Sequence, residues 1–162
     1  MRPTRDQWAM SLAKETAKMS TCCRRNVGCV LLNGRGHVIA TGYNGVAAGL
    51  PHCTDIQEWI SQAKPHETRS HKSACPGAES PSGSNLDGCQ AIHAEQNALL
   101  QCKDVYSIHT CFTTASPCMT CAKLLMNTTC ERVVFCEEYP HPEVKDMWVK
   151  SGRQWVKLDD LR

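Results

Sequence analysis

Apolar positions recur at three- and four-residue spacing over residues 4–19, where Trp8, Leu12, Glu15 or Thr16, and Met19 share one side and Thr4 or Asp6 is available as a cap. That spacing predicts an amphipathic helix packed on a sheet. VGCVLLN (27–33) and HVIATGYN (37–44) are β-rich runs separated by Gly34, Arg35 and Gly36. They predict a hairpin whose glycines are free to take positive φ. After residue 90 the pattern alternates: helix at 90–102, strand at 109–115, helix at 117–128 opened by Pro117, strand at 132–138, helix at 141–152 ended by Gly152, and strand at 153–158. This succession implies parallel strands with crossover helices behind an antiparallel opening hairpin. The expected class is α/β, a three-layer α/β/α sandwich around a five-stranded mixed sheet, with all 162 residues in a single domain.

Residues 45–90 interrupt this order with Gly, Pro, Ser, His and Cys and only a short helical run at 54–63. A connection so long and so poor in apolar groups is functional or disordered, and its cysteines favour function. Twelve cysteines stand at 22, 23, 29, 53, 75, 89, 102, 111, 118, 121, 130 and 136. The first twenty residues carry Arg2, Arg5, Asp6, Lys14, Glu15 and Lys18, so no signal peptide is expected, and no later run is apolar enough to span a membrane. A cytoplasmic, reducing setting follows, in which such a chain binds metal or catalyses rather than forming disulfides. With 18 basic against 16 acidic residues the formal charge is +2, so no nucleic-acid partner is indicated.

The sharpest chemistry lies in His93-Ala94-Glu95 and Pro117-Cys118-Met119-Thr120-Cys121. Thiols three residues apart share a helical face and can close on one zinc ion at about 2.3 Å per bond. Pro117 places them in a first turn, where the positive helix end favours thiolate. Neutral His93 supplies a third ligand and leaves the fourth tetrahedral position to water, which is a catalytic ligand count. Glu95 lies about 200° from His93 on a regular helix, badly placed to share the ion, and is cast as the proton carrier. The order H-x-E…P-C-x-x-C is a signature of zinc-dependent nucleobase deaminases.

On these motifs the chain resembles the deoxycytidylate (dCMP) deaminases within the cytidine-deaminase-like superfamily. Further matching pieces are Asn26-Val27-Gly28-Cys29-Val30, Thr41-Gly42-Tyr43-Asn44-Gly45, Ile92 through Ala98, Ser116 through Lys123, and Val133-Val134-Phe135 leading to Tyr139. The resemblance implies the cytidine deaminase-like fold and hydrolysis of dCMP to dUMP and ammonia, with Glu95 protonating N3 and then the departing amine. It also implies that Asn44 holds the sugar or base edge, that Asn26 lies near ribose or phosphate, and that Ala94, Ala115, Ser116 and Tyr139 contact substrate. Arg24 or Arg25 is expected to meet the phosphate, because a guanidinium fork suits its oxygens. Such enzymes are often homo-hexamers activated by dCTP and inhibited by dTTP, with the triphosphate and Mg²⁺ near Gly42, Tyr43, Asn44 and Gly45. Here Val46-Ala47-Ala48-Gly49 follows where many relatives carry a proline, and Ala115 replaces a common leucine.

Cys22, Cys53, Cys75 and Cys89 fall outside the catalytic motif and are expected to hold a second, structural zinc that orders the polar insertion. Cys23, His52, His71 and Glu79 are substitutes for members of that set. Cys29, Cys102, Cys111, Cys130 and Cys136 sit in apolar runs and read as small buried hydrophobes. His37, His66, His109 and His141 lack ligand spacing, and Trp8, Trp59, Trp148 and Trp155 suit packing. Rival readings are a deaminase of cytidine, dCTP or a tRNA base, and a non-catalytic module organised by zinc, which would have no use for Glu95.

Overall fold

Thr4 opens helix α1 (Arg5–Ala17) with a reciprocal cap: its Oγ1 accepts the Gln7 amide at 3.2 Å while its own amide donates to Gln7 Oε1 at 2.7 Å. Asp6 does not cap the helix and instead binds Arg132 through two parallel contacts of 2.9 and 2.5 Å. The buried stripe of α1 is Ala9, Met10, Ala13 and Ala17, whereas Trp8 and Met19 are exposed. The expected face is thus turned aside, and small residues win because α1 rides directly on strand β1 (Gly28–Asn33). A Cβ on Gly28 would stand 2.0 Å from the Ala13 carbonyl oxygen, so the large side chains of the other face could not fit there.

The computed structural model describes residues 1–53, 75, 77, 80, 81, 84, 85 and 88–159; the helical run at 54–63, Trp59, His66, His71 and Glu79 lie outside the described residues. Strand β2 (Val38–Tyr43) returns antiparallel to β1. Asn33 closes their turn by accepting the Arg35 and His37 amides at 3.0 and 2.9 Å, and Gly36 takes a φ of 80°. Two short strands, β3 (Gly45–Val46) and β4 (Ala91–Ile92), pair with each other in a separate two-stranded sheet. Helix α2 therefore begins only at Ala94, later than the sequence pattern suggests, because 91–92 are held as strand, and it ends at Gln101. Strand β5 (Ile108–Ala115), helix α3 (Met119–Met126), strand β6 (Arg132–Glu137), helix α4 (Pro142–Lys150) and strand β7 (Gln154–Lys157) complete the order. Pro117 stands before the cap residue Cys118 rather than inside the first turn.

The main sheet runs β2-β1-β5-β6-β7, antiparallel across β2-β1-β5 and parallel across β5-β6-β7. Alternation along its central strands feeds two cores. Val30, Leu32, Phe112 and Val134 meet α1, while Leu31, Cys111, Val133 and Phe135 face the side that includes Ala94, Ala98, Leu125, Val144 and Trp148. The three-layer α/β/α sandwich and the five-stranded mixed sheet are thereby found, with one helix on one face and three on the other. Among the described residues no helix is long and apolar enough to cross a membrane.

Candidate active site

Helices α2 and α3 begin side by side, each with a metal-binding side chain at its cap: His93 precedes α2 and Cys118 precedes α3. Gln96 Oε1 accepts the His93 amide at 2.8 Å, and the Cys118 sulfur accepts the Cys121 amide at 3.5 Å, so both caps are fixed from within their own first turns. His93 Nδ1 lies 3.4 Å from Cys118 Sγ and 3.4 Å from Cys121 Sγ. Among the described residues this trio is the one set of three potential ligand atoms lying within 4.8 Å of one another. Tetrahedral zinc with ordinary Zn–S and Zn–N lengths separates its nitrogen and sulfur donors by about 3.5 Å, so the residues fit that ion in spacing and in donor type.

The electrostatics suit a cation. Cys118 is lowered to about 4, first because Cys121 hydrogen-bonds to it and further because His93 does, against the opposing effect of burial. The same bond pushes Cys121 up, and the contact with Cys118 raises His93. Two helix N-termini aim positive potential at the two thiols, which favours the thiolate form a metal takes. Glu95 is 3% exposed, and burial pushes its carboxyl up. Its Oε1 accepts a hydrogen bond of 3.2 Å from Thr113 Oγ1.

His93, Glu95 and Cys118 open onto a cavity of about 260 Å³ that also receives Arg24, Arg25, Asn44, Ala94, Ala115, Ser116 and Tyr139, while Cys121 and Thr113 lie behind its wall. Asn44 is buried and largely taken up by its own chain: Oδ1 accepts from Val27 N at 2.8 Å and Ser20 Oγ at 2.6 Å, and Nδ2 donates to Arg25 O at 2.7 Å. Ser116 is likewise committed, its amide to Glu137 O and its hydroxyl to the Tyr139 amide, both at 2.8 Å. Arg24 Nη1 donates to the carbonyls of Ser80, Pro81 and Ser84 at 3.3, 3.2 and 2.8 Å, so it clamps the insertion. Asn26 is exposed and stays outside the cavity lining, which its neighbours Arg25 and Val27 join.

Gly42, Tyr43 and Gly45 also stay outside the cavity lining. Gly42 packs on α2, Tyr43 O accepts from Asn97 Nδ2 at 2.7 Å, and a Cβ on Gly45 would meet Thr21 Oγ1 at 2.7 Å. Cys22 and Cys89, by contrast, line the cavity. Sequence reasoning misses Thr113, His141 and Glu143. His141 and Glu143 carry no spacing signal, and only the preference for Thr over Val inside a core strand marks Thr113.

A family model described as the cytidine and deoxycytidylate deaminase zinc-binding region matches residues 3–137. The chain is 34% identical over 142 residues to the deoxycytidylate deaminase of Schizosaccharomyces pombe, covering 85% of this chain and 38% of that protein. It is 35% identical over 139 residues to the deoxycytidylate deaminase of Mycobacterium phage D29, covering 85% of this chain and 98% of that one. The chain thus spans about two fifths of the length of the yeast relatives it matches, 38% and 39%. A crystal structure of dCMP deaminase from cyanophage S-TIM5, in complex with dCMP and dUMP, superposes with a TM-score of 0.70 at 23% identity, covering 98% of this chain and 99% of that one, and shares its fold. With the His93, Cys118 and Cys121 cluster inside the matched region, the chain belongs to the cytidine and deoxycytidylate deaminase family.

Proposed function

We propose that the chain hydrolyses dCMP to dUMP and ammonia. The observation that carries the reading is a buried Glu95 beside the His93, Cys118 and Cys121 cluster, with Glu95, His93 and Cys118 opening on one cavity. His93, Cys118 and Cys121 would hold a zinc ion, whose Lewis acidity would make water a nucleophile near neutral pH. Glu95 would take one proton from the attacking water and pass it to ring N3 as the C4–O bond forms, then take the proton of the new C4 hydroxyl and pass it to the amine as the C4–N bond breaks. Burial supports this role, because it pushes the Glu95 carboxyl up and so eases its protonation within the cycle. Ala94, Ala115 and Ser116 form the wall against the base, Asn44 keeps one amide hydrogen for the sugar or base edge, and Tyr139 borders the nucleotide. Arg25 reads the phosphate and Arg24 holds the adjoining wall; Asn26, facing solvent, is left out of the substrate set.

The reading extends to a second zinc. Cys22, Cys53 and Cys75 are buried, and Cys75 hydrogen-bonds with both Cys53 and Cys89. Cys53 is pushed up to about 12, first by burial and then by Cys75 and Cys22 beside it. Gln90 N donates to Cys75 Sγ at 3.4 Å, and the Gly77 and Ala91 amides reach the sulfurs two residues behind them, an arrangement that steadies thiolates. No three of these sulfurs lie within 4.8 Å of one another, so closing them on one ion requires the sulfurs to move together. Such a centre would tie the insertion of residues 45–90 to the one domain.

Control by dCTP and dTTP with Mg²⁺ at Gly42–Gly45 is part of the same reading, supported by Asn44, which joins that segment to Arg25. A homo-hexamer is supported by Leu100, Tyr106 and Leu124, all exposed. The setting is taken as cytoplasmic, since two thiolate sites need reducing conditions. Ammonia release and loss of cytosine absorbance, measured with dCMP, cytidine and dCTP side by side, test the activity. Turnover of dCMP that is lost in Glu95→Ala with zinc retained is expected. Turnover of cytidine or dCTP instead would replace the substrate, and inertness toward all three would leave a binding module.

A further inference from the structure

Thr113 is completely buried at the centre of the sheet, on β5 between Cys111 and Ala115, with Cys29 opposite it on β1 and Phe135 on β6. A core strand position of this kind suits valine, which has the same shape, stronger β preference and no polar atom to satisfy. A buried hydroxyl is unfavourable there unless it is hydrogen-bonded. Thr113 Oγ1 has two acceptors within reach: Glu95 Oε1 at 3.2 Å and Ala115 O at 2.9 Å. Its one hydrogen is shared between these two acceptors, so the hydroxyl sits between the Glu95 carboxylate and the strand end that walls the cavity.

The other donors facing Glu95 are its own amide and the Cys121 thiol. A cysteine that ligates zinc does so as thiolate and has no hydrogen to give. Once Cys121 is committed to the ion, Thr113 is the side chain left to hold Glu95 among those that touch it in the structure.

We infer that Thr113 is a positioning residue for the deamination, its hydroxyl fixing the Glu95 carboxylate in the orientation that faces the cavity. The inference rests on the function proposed above. Misplacement of a proton carrier by about 1 Å lowers turnover by about 100-fold without weakening substrate binding. Thr113→Val and Thr113→Ser separate this role from packing, because valine keeps the shape and serine keeps the hydroxyl.

In the zinc-loaded protein, Thr113→Val is expected to lower kcat for dCMP 10- to 100-fold, while KM, the Kd for dUMP by calorimetry and the zinc content stay within about twofold of wild type. Thr113→Ser is expected to recover kcat to within about threefold. A crystal structure of Thr113→Val should show Glu95 rotated or in several rotamers. Unchanged kcat in the valine variant, an equal loss in the serine variant, a parallel loss of zinc, or Glu95 unmoved in the valine crystal would each overturn the inference. Wild-type protein inert toward every cytosine substrate would instead sink the functional reading, and the crystal comparison would still decide whether the hydroxyl orients Glu95.

Discussion

The Arg25 guanidinium lies over the Tyr139 ring, 4.6 Å from the ring centre, and Glu137 is its ion-pair partner. The Glu137 side chain is 70% exposed, so this partner is weakly held and displaceable. A phosphate carries about −1.5 to −2 charge and offers three acceptors, enough to displace one solvated carboxylate. Arg24, tied to three carbonyls, has no such freedom. Arg25→Gln is expected to raise KM for dCMP about 10- to 100-fold, the worth of a charge-assisted hydrogen bond, and to leave KM for cytidine nearly unchanged. Glu137→Gln should lower KM for dCMP severalfold. Arg24→Gln should harm both substrates alike. Paired kinetics with nucleotide and nucleoside check all three, and equal effects of Arg25→Gln on both substrates would remove it from phosphate recognition.

The cysteine quartet makes a countable forecast. Protein purified under reducing conditions is expected to carry about two zinc ions per chain, one at each thiolate set. Cys75→Ser should reduce this to about one, because Cys75 is the sulfur in contact with both Cys53 and Cys89. Since Cys22 and Cys89 line the cavity, loss of the second ion should also raise KM. Elemental analysis of the wild type returning a single zinc would dispose of the second centre.

Much of the site is legible in order alone, because two short motifs place three ligands and a carboxylate at the mouths of two helices. His93 and Glu95 need not share a helical face: His93 sits in extended conformation at φ −70° and ψ 156°, outside the helix, which frees it toward the ion while Glu95 turns into the core. What the sequence hides is packing. Periodicity favours Trp8 and Met19 as the inner face of α1, yet alanines are inner, since close approach to Gly28 outweighs hydrophobic size. Ala91 and Ile92 read as helix because their partner strand, Gly45–Val46, lies more than forty positions earlier and leaves no local trace. Arg24 and Arg25 are adjacent and chemically alike, and only the folded insertion gives one of them three carbonyls to hold.

Gly42 tests how tightly the site depends on the sheet. A Cβ there would stand 2.3 Å from both Ala94 O and Ala98 N, backbone atoms of the helix that carries Glu95 and follows His93. The helix must shift to admit a methyl group, at a cost of about 1–3 kcal/mol. Gly42→Ala is therefore expected to lower the melting temperature and weaken zinc binding together. Gly34→Ala is the control, since nothing lies within 4 Å of a Cβ at that turn. Thermal melts and zinc titration of the two variants decide it; a Gly42→Ala protein that binds zinc like wild type would show that α2 can move without carrying His93 away.

Asp6 and Arg132 anchor the first helix to β6 across 126 positions of sequence, and their pairing sets a pH limit. Both side chains are mostly buried, 28% and 22% exposed, and the two parallel contacts give the bidentate geometry in which such pairs are strongest. The Arg132 hydrogen bond holds the Asp6 carboxyl below its ordinary 3.8, against the opposing effect of burial. A carboxyl with a depressed folded-state value binds its proton more readily in the unfolded chain. Its stabilisation is therefore present above the unfolded value, near pH 4, and is lost as pH falls through the lower folded value. Asp6→Asn is expected to cost about 1.5–3 kcal/mol at pH 7, the range for hydrogen bonds to charged groups. Urea titrations of wild type and variant at pH 7 and pH 3 should show the gap narrowing at the acidic end, and a gap of constant size would mean that the carboxylate charge contributes nothing to holding α1 in place.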